Sequence, residues 1–211
     1  MVMTQKMTPP DSPAPVTALL LAGGEGRRLG GQDKGMVPWQ GAPMAQWVLN
    51  ALAEVASPVL ISANRSLSDY EQLGPGNVLE DSPELKGQGP LAGLLTGMRH
   101  AASLGAKAVL VSPCDTPEIT SEVLSDLISA WYQEPEKPVL AECEGRVHPL
   151  HGVYPVTLAP LLERHLESGN RRVMVFTEAA GARKLECLNV AKAFKNRNQP
   201  KDFEDTDHVG K

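Results

Sequence analysis

Residues 16–35 read VTALLLAGGEGRRLGGQDKG. The opening VTALLLA is a short apolar run that ends on paired glycines, Gly23 and Gly24, the pattern of a buried strand delivered into a tight turn. Glycine reaches backbone angles barred to other residues and lets the chain approach a ligand closely. Converging amide hydrogens in such a turn form an anion-binding nest. Arg27, Arg28 and Lys34 add positive charge to the same loop. Arginine grips phosphate with a planar fork, and lysine acts as a point charge. The loop is not a Walker A motif, because no Ser or Thr follows Lys34, and it does not match the G-x-G-x-x-G of dinucleotide folds. Glycine content alone fits a solvated turn as well as an anion site.

Outward from this loop, helical spacing of Met44, Trp47, Val48 and Leu52 predicts a helix over 43–55. Strands are expected at 58–63 and 77–80. A helix over 90–102 carries Leu91, Leu94, Leu95, Met98 and Ala102 on one face. Pro43 and Pro90 suit first-turn positions. A strand at 106–112 and a helix at 121–132 follow. This alternation predicts the α/β class: a single-domain, Rossmann-like three-layer sandwich whose mostly parallel sheet has helices on both faces. After 132 the pattern is less regular, with strands at 137–142 and 147–154, a helix at 156–167, a last strand at 184–189 and a terminal helix starting near 201. Ligands in such sheets gather beyond the carboxyl ends of the strands, where the glycine loop begins.

The 211 residues are 42% hydrophobic, enough for one substantial core. The domain is expected over 16–207, behind a proline-rich disordered leader at 1–15 and before a frayed tail at 208–211. A net charge of -5 argues against nucleic acid as a partner. No apolar run approaches the roughly 18 residues that span a bilayer, so no membrane association is expected. Cys114, Cys143 and Cys187 are odd in number and widely spaced. They suggest neither a disulfide framework nor a zinc site, and a reducing cytoplasm fits best.

Further along, Asp115 follows the apolar stretch of VLVSPCDTP at 109–117 and so stands at the tip of a buried strand. It is a candidate Mg²⁺ ligand, since that ion takes oxygen donors and commonly one or two carboxylates; an Asp capping a turn with Thr116 is the bland alternative. His148 and His151, three apart, are expected on opposite sides of a strand, which favours core or substrate contacts over a metal pair.

The order LAGG at 21–24, Arg28 four residues later, then GGQDKG at 30–35 resembles the signature of GT-A-like nucleotidyltransferases. In its GG-x-DKG extension it resembles the molybdenum cofactor guanylyltransferases, the MobA family. The likeness runs over 17–200. It implies transfer of GMP from GTP to the phosphate of molybdopterin, with Mg²⁺ as cofactor and pyrophosphate released. It also implies roles by position. Leu21, Ala22, Gly23, Gly24, Arg28 and Lys34 would hold the triphosphate, and Asp115, in a matching PCDTP, the metal. Asp81 in LEDSP, with Gly89 and Pro90 of GPLAG, would contact the nucleotide. Ser62 and Asn64 lie in SANR, where many relatives have NANR; a serine hydroxyl cannot reproduce a two-point amide contact. His148 matches an HP element, and Arg171 and Arg172 would hold the second substrate's phosphate, although paired arginines are more often a solvated face. Asn196 and Asn198, in NRNQP, would close the site or merely cap a helix. GTP and molybdopterin are the implied partners, and molybdoenzymes with their chaperones would receive the product. A molybdopterin cytidylyltransferase, a sugar-phosphate nucleotidyltransferase and an inactive nucleotide-binding regulator are the rival readings.

Overall fold

The structure is a computed structural model that describes residues 16–22, 32–74 and 77–197. The expected leader and tail, the terminal helix near 201, and Gly23, Gly24, Arg27, Arg28 and Asn198 lie outside the described residues. Strand β1 (Val16–Leu21) has every residue buried. Val16, Ala18 and Leu20 point into one apolar layer, and Leu19 and Leu21 into the other. Burying each large aliphatic side chain stabilises the fold by roughly 1.5–3 kcal/mol. A strand so placed must be covered on both faces, which is why it is near-continuously apolar.

A hairpin follows, β2 (Pro38–Trp39) against β3 (Ala42–Pro43). Its turn residues Gln40 and Gly41 both have positive φ, 47° and 85°, the two-residue turn whose twist suits a hairpin. Pro43, expected inside the first helix, instead ends this hairpin and precedes α1 (Met44–Ala53). Then come β4 (Val59–Ser62), α2 (Leu67–Gln72), β5 (Asn77–Leu79), α3 (Pro90–Ser103), β6 (Ala108–Pro113) and α4 (Ser121–Trp131). The chain continues as β7 (Val139–Cys143), β8 (Arg146–Pro155), α5 (Ala159–Glu167), α6 (Val173–Ala179) and β9 (Arg183–Glu186).

Seven strands form one sheet in the order β5-β4-β1-β6-β8-β7-β9. All neighbours pair in parallel except those of β8, which runs antiparallel to β6 and β7. Helices α1 and α4 supply one outer layer, and α3, α5 and α6 the other. The three-layer α/β sandwich is as the periodicity predicts. The helix expected over 156–167 starts as a 3-10 turn, Val156–Leu158, before α5 proper. Pro160 in its first turn has no N–H with which to continue a helix from upstream. The last strand stops at Glu186 rather than 189, where Asn189 takes a φ of 60°. No helix among the described residues is long and apolar enough to cross a membrane.

Close approach sets the position of α3. A Cβ on Gly97 would collide with the Leu19 side chain, and one on Gly93 with the Ser62 hydroxyl, so these glycines let the helix lie against the carboxyl halves of β1 and β4. In β8, a Cβ on Gly152 would meet the Val139 carbonyl oxygen at 2.5 Å and Leu140 Cα at 3.3 Å. Backbone of a central sheet cannot yield as a leucine tip can. Gly152→Ala is therefore expected to lower stability by about 1–3 kcal/mol. Gly97→Ala, which regains about 1 kcal/mol of helix propensity, should cost less. Chemical denaturation of both variants checks the order; an equal or reversed cost would contradict this account of β8.

Candidate active site

The carboxyl ends of β1, β4 and β6 open onto a cleft of about 160 Å³. Leu21, Ser62 and Pro113 form its floor, Gly89, Pro90 and Gly93 bring the N-terminus of α3 to one wall, and Lys34, Asp81, Cys114 and Asp115 supply polar groups. Gly89 takes a φ of 80° to start that helix, whose end carries partial positive charge and free amide hydrogens.

Lys34 and Asp115, distant in sequence, meet here: Nζ donates to Oδ2 at 2.6 Å. Asp115 is only 8% exposed, and a carboxylate so buried persists only with partners. Asn196 donates from Nδ2 to the same oxygen at 3.2 Å. The other oxygen, Oδ1, is buried and accepts nothing among the described residues. Cys114 shares the cleft, but burial, reinforced by the Asp115 charge, pushes its thiol well up; it stands there as a neutral, unreactive group.

Lys34 is held from behind. Asp33 caps the 3-10 turn Lys34–Met36, its Oδ1 accepting from the Gly35 amide at 3.1 Å and from the Tyr70 hydroxyl at 2.7 Å. Tyr70 reaches across from α2, fully buried, and burial raises its phenol far above its ordinary range, so it remains a donor. Gly35 lacks a side chain because a Cβ there would strike the Tyr70 hydroxyl. Arg65 faces Asp33 Oδ2 at 3.6 Å and donates to the Gln32 carbonyl at 3.1 Å. The DKG segment is thus bolted to the SANR segment.

Asp81 is built with equal care. Asn64 donates to its Oδ2 at 2.8 Å while accepting from its backbone N–H at 3.0 Å, and Thr96 of α3 donates to Oδ1 at 2.7 Å. Ser62 lines the cleft as expected, whereas Asn64 faces Asp81. Ala22 is buried in the core, its amide donating to the Ser62 carbonyl at 2.8 Å.

The expected separation of His148 and His151 is corrected by a bulge. In β8, His148 pairs with Ala141 and Gly152 with Leu140, so residues 149–151 have no counterparts in β7. Strict alternation is lost. Both imidazoles end on the same side, 6.0 Å apart, each packed on Phe194. Tyr154 ties the bulge by donating its hydroxyl to the Pro149 carbonyl. His151 Nε2 lies 2.9 Å from the Thr116 hydroxyl, which itself donates to the Pro113 carbonyl at 3.2 Å; the imidazole N–H therefore donates to Thr116, beside Asp115. Leu150, from the same bulge, lines the cleft, but His148 does not. Arg171 and Arg172 are exposed at the start of α6 and also lie outside the cleft wall.

Thr96, Tyr70, Leu150 and Arg197 are the contributors that spacing did not reveal. Each acts through tertiary contact, and only the i+3 step from Gly93 to Thr96 along α3 carried any signal.

A lysine and a carboxylate facing one another where parallel strands end, beside a helix N-terminus, form the anion-receiving cleft of an α/β protein. Residues 18–182 match the model of the MobA-like NTP transferase domain. A molybdenum cofactor guanylyltransferase of Serratia proteamaculans is 37% identical over 89% of this chain and 91% of its own length. One from Cereibacter sphaeroides is 38% identical over 88% and 92%. The molybdopterin-guanine dinucleotide biosynthesis protein A of Archaeoglobus fulgidus superposes with a TM-score of 0.75 at 22% identity, covering 90% of this chain and 95% of that one, and shares the fold. The chain belongs to the MobA-like NTP transferase family and is a nucleotidyltransferase.

Burial, helped by neighbouring His148, lowers the His151 pKa from 6.5 to about 3. The folded group thus stays neutral while the unfolded one takes up a proton. That difference costs no stability above the unfolded pKa and grows as pH falls from about 6.5 toward about 3. His151→Gln, which keeps a donor toward Thr116, should remove it. The stability lost by the parent between about pH 8 and about pH 5 is expected to exceed the variant's loss by on the order of 2 kcal/mol. Thermal unfolding across that range tests this, and parallel profiles would contradict it.

Proposed function

We propose that this chain joins GMP from GTP to the terminal phosphate of molybdopterin, with the cleft at Lys34 and Asp115 as its active site. The ion pair at the carboxyl ends of β1 and β6 carries the reading, and relatives named molybdenum cofactor guanylyltransferase support its substrates. A phosphate oxygen of molybdopterin attacks the α-phosphorus of GTP; the new P–O bond forms as the α–β bridging bond breaks, and its electron pair leaves with pyrophosphate. The attacking oxygen is anionic at neutral pH, so no general base is required, and the protein's work is alignment and charge neutralisation.

Lys34 supplies the cation for the phosphates, held in place by the Asp33 cap and the Tyr70 hydroxyl. The N-terminus of α3 adds amide dipoles along the opposite wall. Gly23, Gly24 and Arg28 would complete the triphosphate cradle, and Ser62 and Asp81 would face the nucleoside. Arg171 and Arg172, exposed at the start of α6, would meet an anionic substrate from outside the cleft wall. The buried, unpartnered Asp115 Oδ1 suits a hard cation such as Mg²⁺, and Asn196, whose Nδ2 reaches the other Asp115 oxygen, would bring its carbonyl oxygen as a further donor. When bound, Mg²⁺ would neutralise charge developing on the phosphates. Among the described residues no group of three or more His, Cys, Asp or Glu could hold a metal, so Asp115 would share such an ion with phosphate oxygens and water. The three free, buried cysteines suit a cytoplasmic setting.

Two measurements test this. Asp115→Ala should reduce turnover at least about 100-fold with the fold retained by circular dichroism; near-parent activity in a metal-replete assay sinks the assignment. With GTP, CTP, ATP and UTP offered alongside molybdopterin or sugar phosphates, pyrophosphate release is expected chiefly from GTP with molybdopterin. A preference for CTP, or turnover only with a sugar phosphate, would move the chain to another branch of the same fold.

A further inference from the structure

The two halves of the ion pair come from segments distant in the chain, Lys34 just ahead of the β2–β3 hairpin and Asp115 just after β6. One side chain bridges the supports of both. The Arg197 backbone N–H donates to the Asp115 carbonyl at 2.9 Å. Its guanidinium pairs with Glu118, in the loop beyond Asp115, and its central carbon lies 5.8 Å from the centre of the Trp39 ring. Trp39 is a firm platform: it is 5% exposed, meets Trp47 edge-on at 5.7 Å, and accepts the Trp47 indole N–H at its carbonyl at 2.9 Å.

Arg197 itself is only 6% exposed. Taking a guanidinium out of water costs several kcal/mol unless charge and hydrogen-bond partners offset it, so a strap that merely tied down the chain would be better served by an apolar side chain. What the buried charge adds is direction. A guanidinium fork against a carboxylate, stacked over an indole, fixes orientation as well as distance. The oriented backbone carries Asn196, whose amide N–H reaches the same Asp115 oxygen that Lys34 occupies. With Oδ2 held twice, Oδ1 is the oxygen that keeps its acceptor capacity unused among the described residues.

We propose that Arg197 is a positioning residue: its clamp on Glu118 and Trp39 holds the Asp115 and Asn196 backbone in the arrangement that receives the divalent cation accompanying the nucleotide. The inference rests on the reading of Asp115 as the cation's ligand. A residue that orients a metal ligand typically changes metal affinity about 10–100-fold when altered. Arg197→Lys keeps the charge but loses the fork and the stacking plane.

The test is calorimetric titration of GTP into the full chain, once in excess Mg²⁺ and once in EDTA, beside thermal unfolding. The parent should bind more tightly with Mg²⁺. Arg197→Lys should lose about tenfold of that gain while its affinity in EDTA stays within about twofold. Glu118→Gln should shift the same way by roughly threefold and decides the matter should the lysine variant not fold. An undiminished Mg²⁺ gain in the folded variants overturns the clamp. Equal losses in Mg²⁺ and EDTA also overturn it, since they report general damage. A parent with no Mg²⁺ gain removes Asp115 as the ligand and the clamp with it, a failure distinct from that of the variants alone.

Discussion

A strand with all six side chains buried, as in β1, has no solvent-facing surface along its length. Its polar business is displaced to its ends. Apolar layers on both faces, seated on Ala18 and Leu20 to one side and Leu19 and Leu21 to the other, exclude charge from the body of the sheet and leave the carboxyl edge as the place where it can gather. The glycines of α3 reinforce the constraint. By letting the helix lie against Leu19, Leu21 and Ser62, they bring its N-terminus level with the strand ends, so dipole, lysine and carboxylate converge without any of them entering the core.

Charge at that edge is held by mutual need. Lys34 and Asp115 are each partly withdrawn from water, and their 2.6 Å contact offsets the desolvation that either would suffer alone. On the proposed reading the same contact would leave the site poised, because a triphosphate would offer the lysine new oxygens and a cation would offer the carboxylate a new partner. Asp33, Tyr70 and Arg65 on one side, and Asn196 and Arg197 on the other, hold the backbone around the pair. Binding would then rearrange two side chains instead of two loops.

The periodic parts of the chain were legible. Burial of β1 and β6 follows from their short continuous apolar runs and that of α1 and α3 from helical spacing, and the placing of Asp115 at a strand tip follows from the strand's end. Contacts between distant segments were not. Residues 67–72 carry too little apolar pattern to announce α2, and Val173, Val175 and Phe176 look as much like a strand as a helix until Phe176 packs against Tyr154 and His165. The side on which His151 lies depends on a register skip in β8, and no count of residues within that strand reveals which pairs its neighbour will leave out. A hairpin turn at Gln40-Gly41 was hidden because proline at 43 reads equally as a helix start.

Asn64, Asp81 and Ser62 show how the detailed contacts alter a reading made by position. Asn64 uses its carbonyl oxygen for the Asp81 amide and one N–H for the Asp81 carboxylate, which leaves it little to offer a base. Asp81 accepts one hydrogen bond on each oxygen, from Asn64 and Thr96, yet each oxygen retains further acceptor capacity. It also lines the cleft together with Ser62. A ligand's N–H or hydroxyl donors would therefore find a carboxylate already aimed by two neutral donors, and Ser62 could add a single bond. Recognition on this side would run through an oriented acceptor, with Asn64 and Thr96 holding its angle, so the asparagine would act through Asp81 instead of on the nucleotide.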